Sequence, residues 1–298
     1  MPRVCVLMST YDGERYIREQ IDSILAQRDV EVSLLVRDDG STDGTHVILD
    51  EYQKKGLLKW YTGDNLKPAR SFMQLLRDAP NCDYYAFADQ DDFWMNDKLY
   101  AACQMLETNS DKPALYFGQT QLADKDLNPI DSVVINPFLT FGESLVYYFV
   151  GGCTMVMNSR LREIVNKYRP KELFMHDVWI YSVALAIGAF VAFDKVPRIM
   201  YRQHGGNTVG QGFGAWEMWK RRFDRLRNER RIRSRVAREI HDGYKDYITA
   251  DNREILNKVL SYRKSFLGRM SLLRDRRFTT SHTTTNIFFK LAVLLGTF

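Results

Sequence analysis

The sequence predicts an α/β protein, a mostly parallel sheet flanked by helices, followed by a basic helical region. Two observations carry this. Over the first two-thirds of the chain, short apolar runs alternate with stretches of helical apolar spacing, the pattern of strands joined by crossover helices. The charge then changes sign: residues 217–298 hold 20 of the 42 Lys and Arg but only 9 of the 37 Asp and Glu. Regions of opposite charge usually meet different partners. A glycine-rich stretch, Gly205-Gly206-Asn207-Thr208-Val209-Gly210-Gln211-Gly212-Phe213-Gly214, separates them. The expected division is therefore 1–214 and 215–298.

Val4 to Met8 is a short apolar run, read as a buried parallel strand. Ser9-Thr10-Tyr11-Asp12-Gly13 has turn chemistry, and Ile17, Ile21, Ile24 and Leu25 recur at helical spacing. Val32 to Val36 is a second strand, ending in Arg37-Asp38-Asp39-Gly40-Ser41; Val47, Ile48 and Tyr52 mark the next helix. Leu58 to Tyr61 gives a third strand, Phe72 to Arg77 part of a helix, and Tyr84 to Ala88 a fourth strand. Val178 to Leu185 reads as an apolar helix and Phe190 to Phe193 as a further strand. In such sheets ligands bind beyond the carboxyl ends of the strands, where the turns bearing Asp12, Asp39 and Asp89 would converge.

The stretch Phe87-Ala88-Asp89-Gln90-Asp91-Asp92-Phe93-Trp94 sets three carboxylates within four residues after an apolar strand. Carboxylates this close repel one another, and such clusters usually hold a cation. The D-x-D spacing turns Asp89 and Asp91 to the same side of an extended segment. The simpler reading is a solvated acidic turn. No G-x-x-x-x-G-K-[ST] loop and no G-x-G-x-x-G follows the first strand, which argues against a kinase, an NTPase or a dinucleotide-dependent dehydrogenase. Cys5, Cys82, Cys103 and Cys153 form no C-x-x-C pair, so neither a zinc site nor a disulfide framework is indicated. The opening M-P-R-V-C-V-L-M is too short for a signal peptide, and a reducing, cytoplasmic setting is expected.

T-Y-D-G-E-R-Y-I, V-R-D-D-G-S-T-D-G-T and A-D-Q-D-D-F-W, followed by H-D-V-W near 176 and Y-R-Q-H-G-G-N near 201, resemble family 2 glycosyltransferases. The likeness covers roughly residues 4–210. It implies the GT-A fold, a Rossmann-like and mostly parallel sheet, here with a helical C-terminal region. The D-Q-D-D-x-W and Y-R-Q-H-G-x-N forms look most like bacterial polysaccharide rhamnosyltransferases.

Carried over residue by residue, the resemblance implies that Ser9, Thr10 and Tyr11 flank the nucleotide base, with Asp39 accepting from its imide N–H. Uracil and thymine both present that donor. Asp89 would bind ribose or the water shell of a metal. Asp91 would ligate Mn2+ or Mg2+ bridging the two phosphates, with His204 as a further ligand and Arg202 as a diphosphate contact. Asp177 would be the base that takes the acceptor proton, for a direct displacement that inverts the anomeric carbon. Trp94 and His176 are the expected acceptor contacts. Two departures stand out: Asp12 where the motif usually has Asn, and His176 where many relatives have Glu.

Residues 216–248 carry Trp216, Trp219, Phe223 and Leu226, then Val236, Ile240, Tyr244 and Tyr247, with an arginine-rich gap between. A second amphipathic stretch is read from Ile255 to Leu273, after a capping box Asp251…Glu254. Asn286 to Phe298 is apolar but too short to span a bilayer. Aromatic residues on one face and arginines on the other read as an interfacial membrane helix; packing on the first domain is the plainer alternative.

The expectation is an inverting, metal-dependent transferase moving L-rhamnose from dTDP-L-rhamnose to a lipid-linked saccharide in bacterial surface polysaccharide assembly. It would sit peripherally at the inner face of the plasma membrane. The alternatives are a UDP-hexose (glucose or galactose) donor, or a non-catalytic sugar-binding module. Nucleic acid is not an expected partner, since no such motif is present.

Overall fold

In the computed structural model the described residues are 1–132, 134–147, 150–204 and 231–298. The expected boundary at 214 and the stretch from Trp216 to Leu226 lie outside them. The strands are β1 (Arg3–Thr10), β2 (Glu31–Asp38), β3 (Lys59–Thr62), β4 (Tyr84–Ala88), β5 (Phe93–Trp94), β6 (Ala114–Gly118), β7 (Gln121–Ala123), β8 (Val156–Asn158), β9 (Phe190–Asp194) and β10 (Ile199–Arg202). Seven of them form one sheet in the order β3-β2-β1-β4-β8-β6-β9. All neighbours are parallel except β8, which is antiparallel to both β4 and β6. A small second sheet, β5-β10-β7, stands beside the carboxyl ends of the first.

Strand β1 is apolar from Val4 to Met8 because both faces of the sheet are covered there. Its side chains alternate with period two. Val4, Val6 and Met8 enter one core with Ile17, Ile21 and Ile24 of helix α1 (Ile17–Leu25). Cys5 and Leu7 enter the other with Phe72, Leu75 and Leu76 of α3 (Lys67–Asp78). Between these helices in the chain, α2 (Thr45–Lys54) buries Ile48, Leu49 and Tyr52.

Helices α4 (Lys98–Glu107), α5 (Phe141–Val146), α6 (Ser159–Val165) and α7 (His176–Ala186) complete the first part. α7 is buried on every side, consistent with its apolar run from Val178 to Ala186, interrupted only by Ser182. Among the described residues four more helices follow: α8 (Ile232–Tyr244), α9 (Ala250–Ser261), α10 (Phe266–Arg274) and α11 (Thr283–Leu295). Ala237, Ile240 and Tyr244 of α8 and Ile255, Leu256 and Val259 of α9 share one apolar cluster with α3, α5 and α7. The described part of the basic region thus packs on one face of the sheet.

Two expectations there need correction. The amphipathic stretch from Ile255 to Leu273 is broken by a 3-10 turn at Tyr262–Lys264, after which the Ser265 hydroxyl caps α10 by accepting from the Gly268 N–H at 3.0 Å. The cap of α9 is Thr249, which accepts from the Asn252 N–H at 3.3 Å, and Asp251 sits inside the first turn.

Candidate active site

The ends of β1, β2 and β4 deliver their turns to one edge of the sheet. Asp38 is fully buried and organises the turn after β2. Its carboxylate accepts from the backbone N–H groups of Gly40 and Ser41, both at 2.9 Å, from the Ser41 hydroxyl, and pairs with His46 at 2.7 Å. Burial alone would raise its pKa, but these bonds outweigh it and hold Asp38 below the usual carboxylate range. Gly40 has φ +88°, which only glycine adopts freely.

Asp39 is also buried, ion-paired with Arg37, and accepts the Leu66 N–H at 3.0 Å. Arg37 reaches on to the Ser71 hydroxyl at 3.2 Å, and the Ser9 hydroxyl donates to the same oxygen at 2.7 Å. Ser9 and Asp39, expected at the base pocket, are therefore joined through Arg37 and Ser71. Gln90 fastens the neighbouring turn: its Oε1 accepts from the Thr10 hydroxyl at 2.6 Å and from the Tyr11 N–H at 2.9 Å, and its Nε2 donates to the Tyr11 carbonyl at 3.1 Å. The Tyr11 side chain stays about half exposed, its ring open to solvent.

The acidic loop leaves β4 at Ala88. Burial, then the charges of Asp91 and Asp177, raise the Asp89 pKa to about 7. Burial and the neighbouring Asp89 and Asp91 push Asp92 well above its usual value. Asp92 Oδ1 accepts the Arg202 N–H at 3.1 Å, while Oδ2 is buried without a hydrogen-bond partner. Asp91 meets His204, with Nε2 at 2.8 Å from Oδ2. The two expected metal ligands are thus side by side.

Asp89, Asp92 and Cys153 also offer ligand atoms within 4.8 Å of one another. Burial first, then both aspartates, keep the Cys153 thiol protonated and a poor ligand. Three crowded carboxylates, one with an orphaned oxygen, plus an imidazole fit a hard divalent cation such as Mn2+ or Mg2+.

Across the cleft, the first turn of α7 presents Asp177. Its Oδ2 accepts the Gly152 N–H at 3.1 Å and its Oδ1 the Val178 N–H at 2.7 Å. Burial raises its pKa to about 6, with these N–H donors opposing the shift. Asp177 is close enough for its charge to help raise Asp89. Asp177 is thus an ionisable carboxylate held beside the acidic loop.

Three expected contacts are placed elsewhere. Trp94 is 1% exposed, with Lys98 Nζ 3.4 Å from its ring centroid, so it cannot stack on a sugar. Burial lowers the Lys98 pKa to about 7. His176 is buried against Phe72 and Phe87, ring centroids 4.1 and 5.0 Å away, and burial lowers its pKa to about 3. It is a neutral wall under Gly152, not an acceptor contact. Arg202 is 2% exposed; its guanidinium pairs with Glu19 at 2.5 Å, donates to the Asp91 carbonyl at 2.7 Å, and lies over the Tyr16 ring. It clamps the acidic loop from behind instead of facing a diphosphate. Reading the sequence missed Gln90 and Arg37 as organisers, although each sits within or beside a quoted motif.

The family model for glycosyl transferase family 2 matches residues 5–169. The dTDP-rhamnosyl transferase RfbG of Shigella flexneri is 32% identical over 240 residues, covering 72% of this chain and 77% of that one. The putative teichuronic acid biosynthesis glycosyltransferase TuaG of Bacillus subtilis is 32% identical over 162 residues, 53% of this chain and 63% of its own. Among solved structures, S. aureus TarS 1-349 in complex with UDP-GlcNAc superposes with a TM-score of 0.60 at 18% identity, covering 93% of this chain and 78% of that one; at that identity the likeness is one of fold. With a family match over more than half its length and this sheet beneath it, the chain belongs to glycosyl transferase family 2 and has the GT-A fold.

Proposed function

We propose that this glycosyltransferase is inverting and metal-dependent, and moves L-rhamnose from dTDP-L-rhamnose to a lipid-linked saccharide in bacterial surface polysaccharide assembly. The observation that carries the chemistry is Asp177, a carboxylate with pKa about 6 set against the loop of Asp89, Asp91 and Asp92. The rhamnosyl assignment rests on the likeness to RfbG.

In this reading the exposed Tyr11 ring and Asp39 receive the base, with Ser9 and Thr10 holding their turn. Asp89 contacts the ribose. Asp91 and His204 would hold a divalent cation, with Asp92 behind them, and a bound cation would supply charge neutralisation for the departing diphosphate. Asp177 takes the proton from the acceptor hydroxyl. That oxygen attacks the anomeric carbon from the face opposite the diphosphate, the carbon–oxygen bond to the diphosphate breaks, and the nucleoside diphosphate leaves with inversion. Negative charge on the acidic loop repels a diphosphate, and a divalent cation between them would reverse that.

No helix among the described residues is long and apolar enough to cross a membrane. Residues 215–298 act instead as a docking element at the inner membrane face. Phe266 and Leu267 are 70% and 78% exposed, and Leu294 and Leu295 are 46% and 68% exposed. Arg269 joins the two pairs by donating to the Leu294 carbonyl at 2.8 Å, with Arg263 and Lys264 beside them. Apolar tips ringed by cations suit an anionic lipid surface.

The test is a thermal-shift panel of dTDP-L-rhamnose, UDP-glucose, UDP-galactose and GDP-mannose, each with Mn2+ or EDTA. A Mn2+-dependent shift with dTDP-L-rhamnose is expected. A shift with a UDP-hexose alone would move the assignment to that donor, and donor binding without any release of nucleoside diphosphate would favour a non-catalytic module.

A further inference from the structure

Beside the donor cleft, with Leu66 between the two, a cavity of about 210 Å3 lies between α3 and the segment leading into α7. Arg70, Met73, Gln74 and Arg77 line it from α3, and Arg169 and Leu173 from the facing segment. Positions 70, 73, 74 and 77 share one helix face by the 3.6-residue repeat. Three guanidiniums therefore converge on one groove.

None of the three makes an ion pair among the described residues. Arg70 donates to the Lys171 carbonyl at 3.1 Å, and Arg77 to the Met73 carbonyl of its own helix at 3.2 Å. Arg77 Nε is buried with no partner at all. Burial, and then the Arg169 charge, lower the Arg77 pKa. Arg198 and Arg202, by contrast, are paired with Asp194 and Glu19. The Asp78 charge partly offsets that of Arg77 without pairing with it; like charges gathered in one groove still favour an added anion, and planar guanidiniums match phosphate oxygens.

The groove is also near the proposed membrane tip. Glu172 pairs with Arg235 of α8 at 2.7 Å, and Glu239 accepts the Lys171 N–H at 3.0 Å. At the start of the same helix, Ser234 bonds the Phe298 carbonyl and the Arg231 N–H donates to the Thr297 carbonyl at 2.8 Å. Helix α8 therefore touches both the segment beside the groove and the residues that follow Leu294 and Leu295.

We infer that this groove is an anion site for the phosphate or diphosphate of the acceptor's lipid carrier, separate from the site that holds the donor. The inference rests on the reading of the chain as a transferase with a lipid-linked acceptor. Leu66, Met73, Pro170 and Leu173 give the cavity an apolar lining that suits a phosphate carrying a hydrocarbon chain.

The test is calorimetric titration of the full chain with inorganic pyrophosphate and with farnesyl diphosphate, in EDTA so that metal-dependent donor binding is silent. Arg169→Glu changes an exposed side chain and leaves folding intact, and Arg77→Met removes the half-buried charge. Each variant should weaken both ligands by ~10-fold or more, with the KM and kcat of donor hydrolysis unchanged. Farnesyl diphosphate should bind more tightly than pyrophosphate. Wild-type affinity in both variants, or a matching loss of donor hydrolysis, overturns the site. Farnesyl diphosphate binding no tighter than pyrophosphate overturns the lipid carrier. A wild type that never hydrolyses donor defeats the transferase reading itself, while the pyrophosphate titration still reports on the groove.

Discussion

His204 Nε2 stands 2.8 Å from the Asp91 carboxylate, although 113 residues separate them. The contact needs the small sheet: β10 pairs with β5 just after the acidic loop, and His204 follows β10 by two residues. The His204 ring also lies 5.0 Å from that of Tyr16, which fixes its plane. If the pair holds the cation, Asp91→Ala and His204→Ala should each weaken Mn2+-dependent donor binding by at least ~10-fold. Binding measured in EDTA should not change. Equal affinity with and without Mn2+ in the wild type would remove the metal from the mechanism.

Asp177 has a folded pKa of about 6, raised by burial. A base works only when deprotonated, so turnover should climb as pH rises through about 6 and level off above it. Asp177→Asn should keep donor affinity but lose ~10²–10⁴-fold in kcat, and with it the acid limb of the profile. A variant that still turns over with the same pH profile rules out this base.

Much of the sheet was legible because its strands obey simple periods. β4 occupies the residues its apolar run marked, Tyr84 to Ala88, and β1 extends its run by a residue or two at each end. The second sheet was not legible: β5, β7 and β10 are two to four residues long, too short to show any period. At the site, the pairing of Asp91 with His204 follows from the family resemblance, since nothing in a spacing of 113 residues points to contact. Trp94 and His176 were misplaced for a physical reason. A motif names neighbours in sequence, but Lys98 and Phe72, which bury these rings, reach them through the fold.

Gly152 is where backbone meets base. A Cβ there would fall 2.5 Å from His176 Nε2 and 3.5 Å from Asp177 Cβ. The Gly152 N–H is also one of the donors that opposes the rise in the Asp177 pKa. Gly152→Ala should therefore lower kcat ~10-fold or more by displacing the carboxylate. The kinetic pKa should rise above 6 as the N–H bond lengthens. An unchanged pH midpoint with wild-type kcat would show that the glycine only fills space.

Arg37 and Asp39 form a buried pair, each about 4% exposed. Replacing Arg37 with Met leaves the Asp39 charge buried with the Leu66 N–H as its remaining hydrogen bond. Breaking one side of such a pair costs about 3–5 kcal/mol, which urea unfolding would read directly. Replacing Asp39 with Asn should cost less, because the amide oxygen can still accept from Leu66. It should also weaken donor binding, since the proposed imide contact loses its charge. Equal stability losses would mean that the pair has no preferred buried charge.

The exposed apolar pairs at Phe266–Leu267 and Leu294–Leu295 sit where no acidic side chain occurs in sequence between Ser261 and Arg274 or between Arg276 and Phe298. Insertion of these tips would remove apolar surface from water at ~25 cal/mol per Å2, with the nearby cations adding about 1 kcal/mol each at an anionic surface. The full chain should then bind vesicles containing phosphatidylglycerol more tightly than pure phosphatidylcholine, and lose that preference as salt rises. The double variant Phe266→Asp, Leu267→Asp should abolish binding to both. These side chains are far more exposed than the core, so its melting temperature and its donor hydrolysis should stay those of the wild type. Vesicle binding that survives the double variant would mean that another surface meets the membrane, and a wild type that never binds vesicles would leave the exposed leucines to a protein partner.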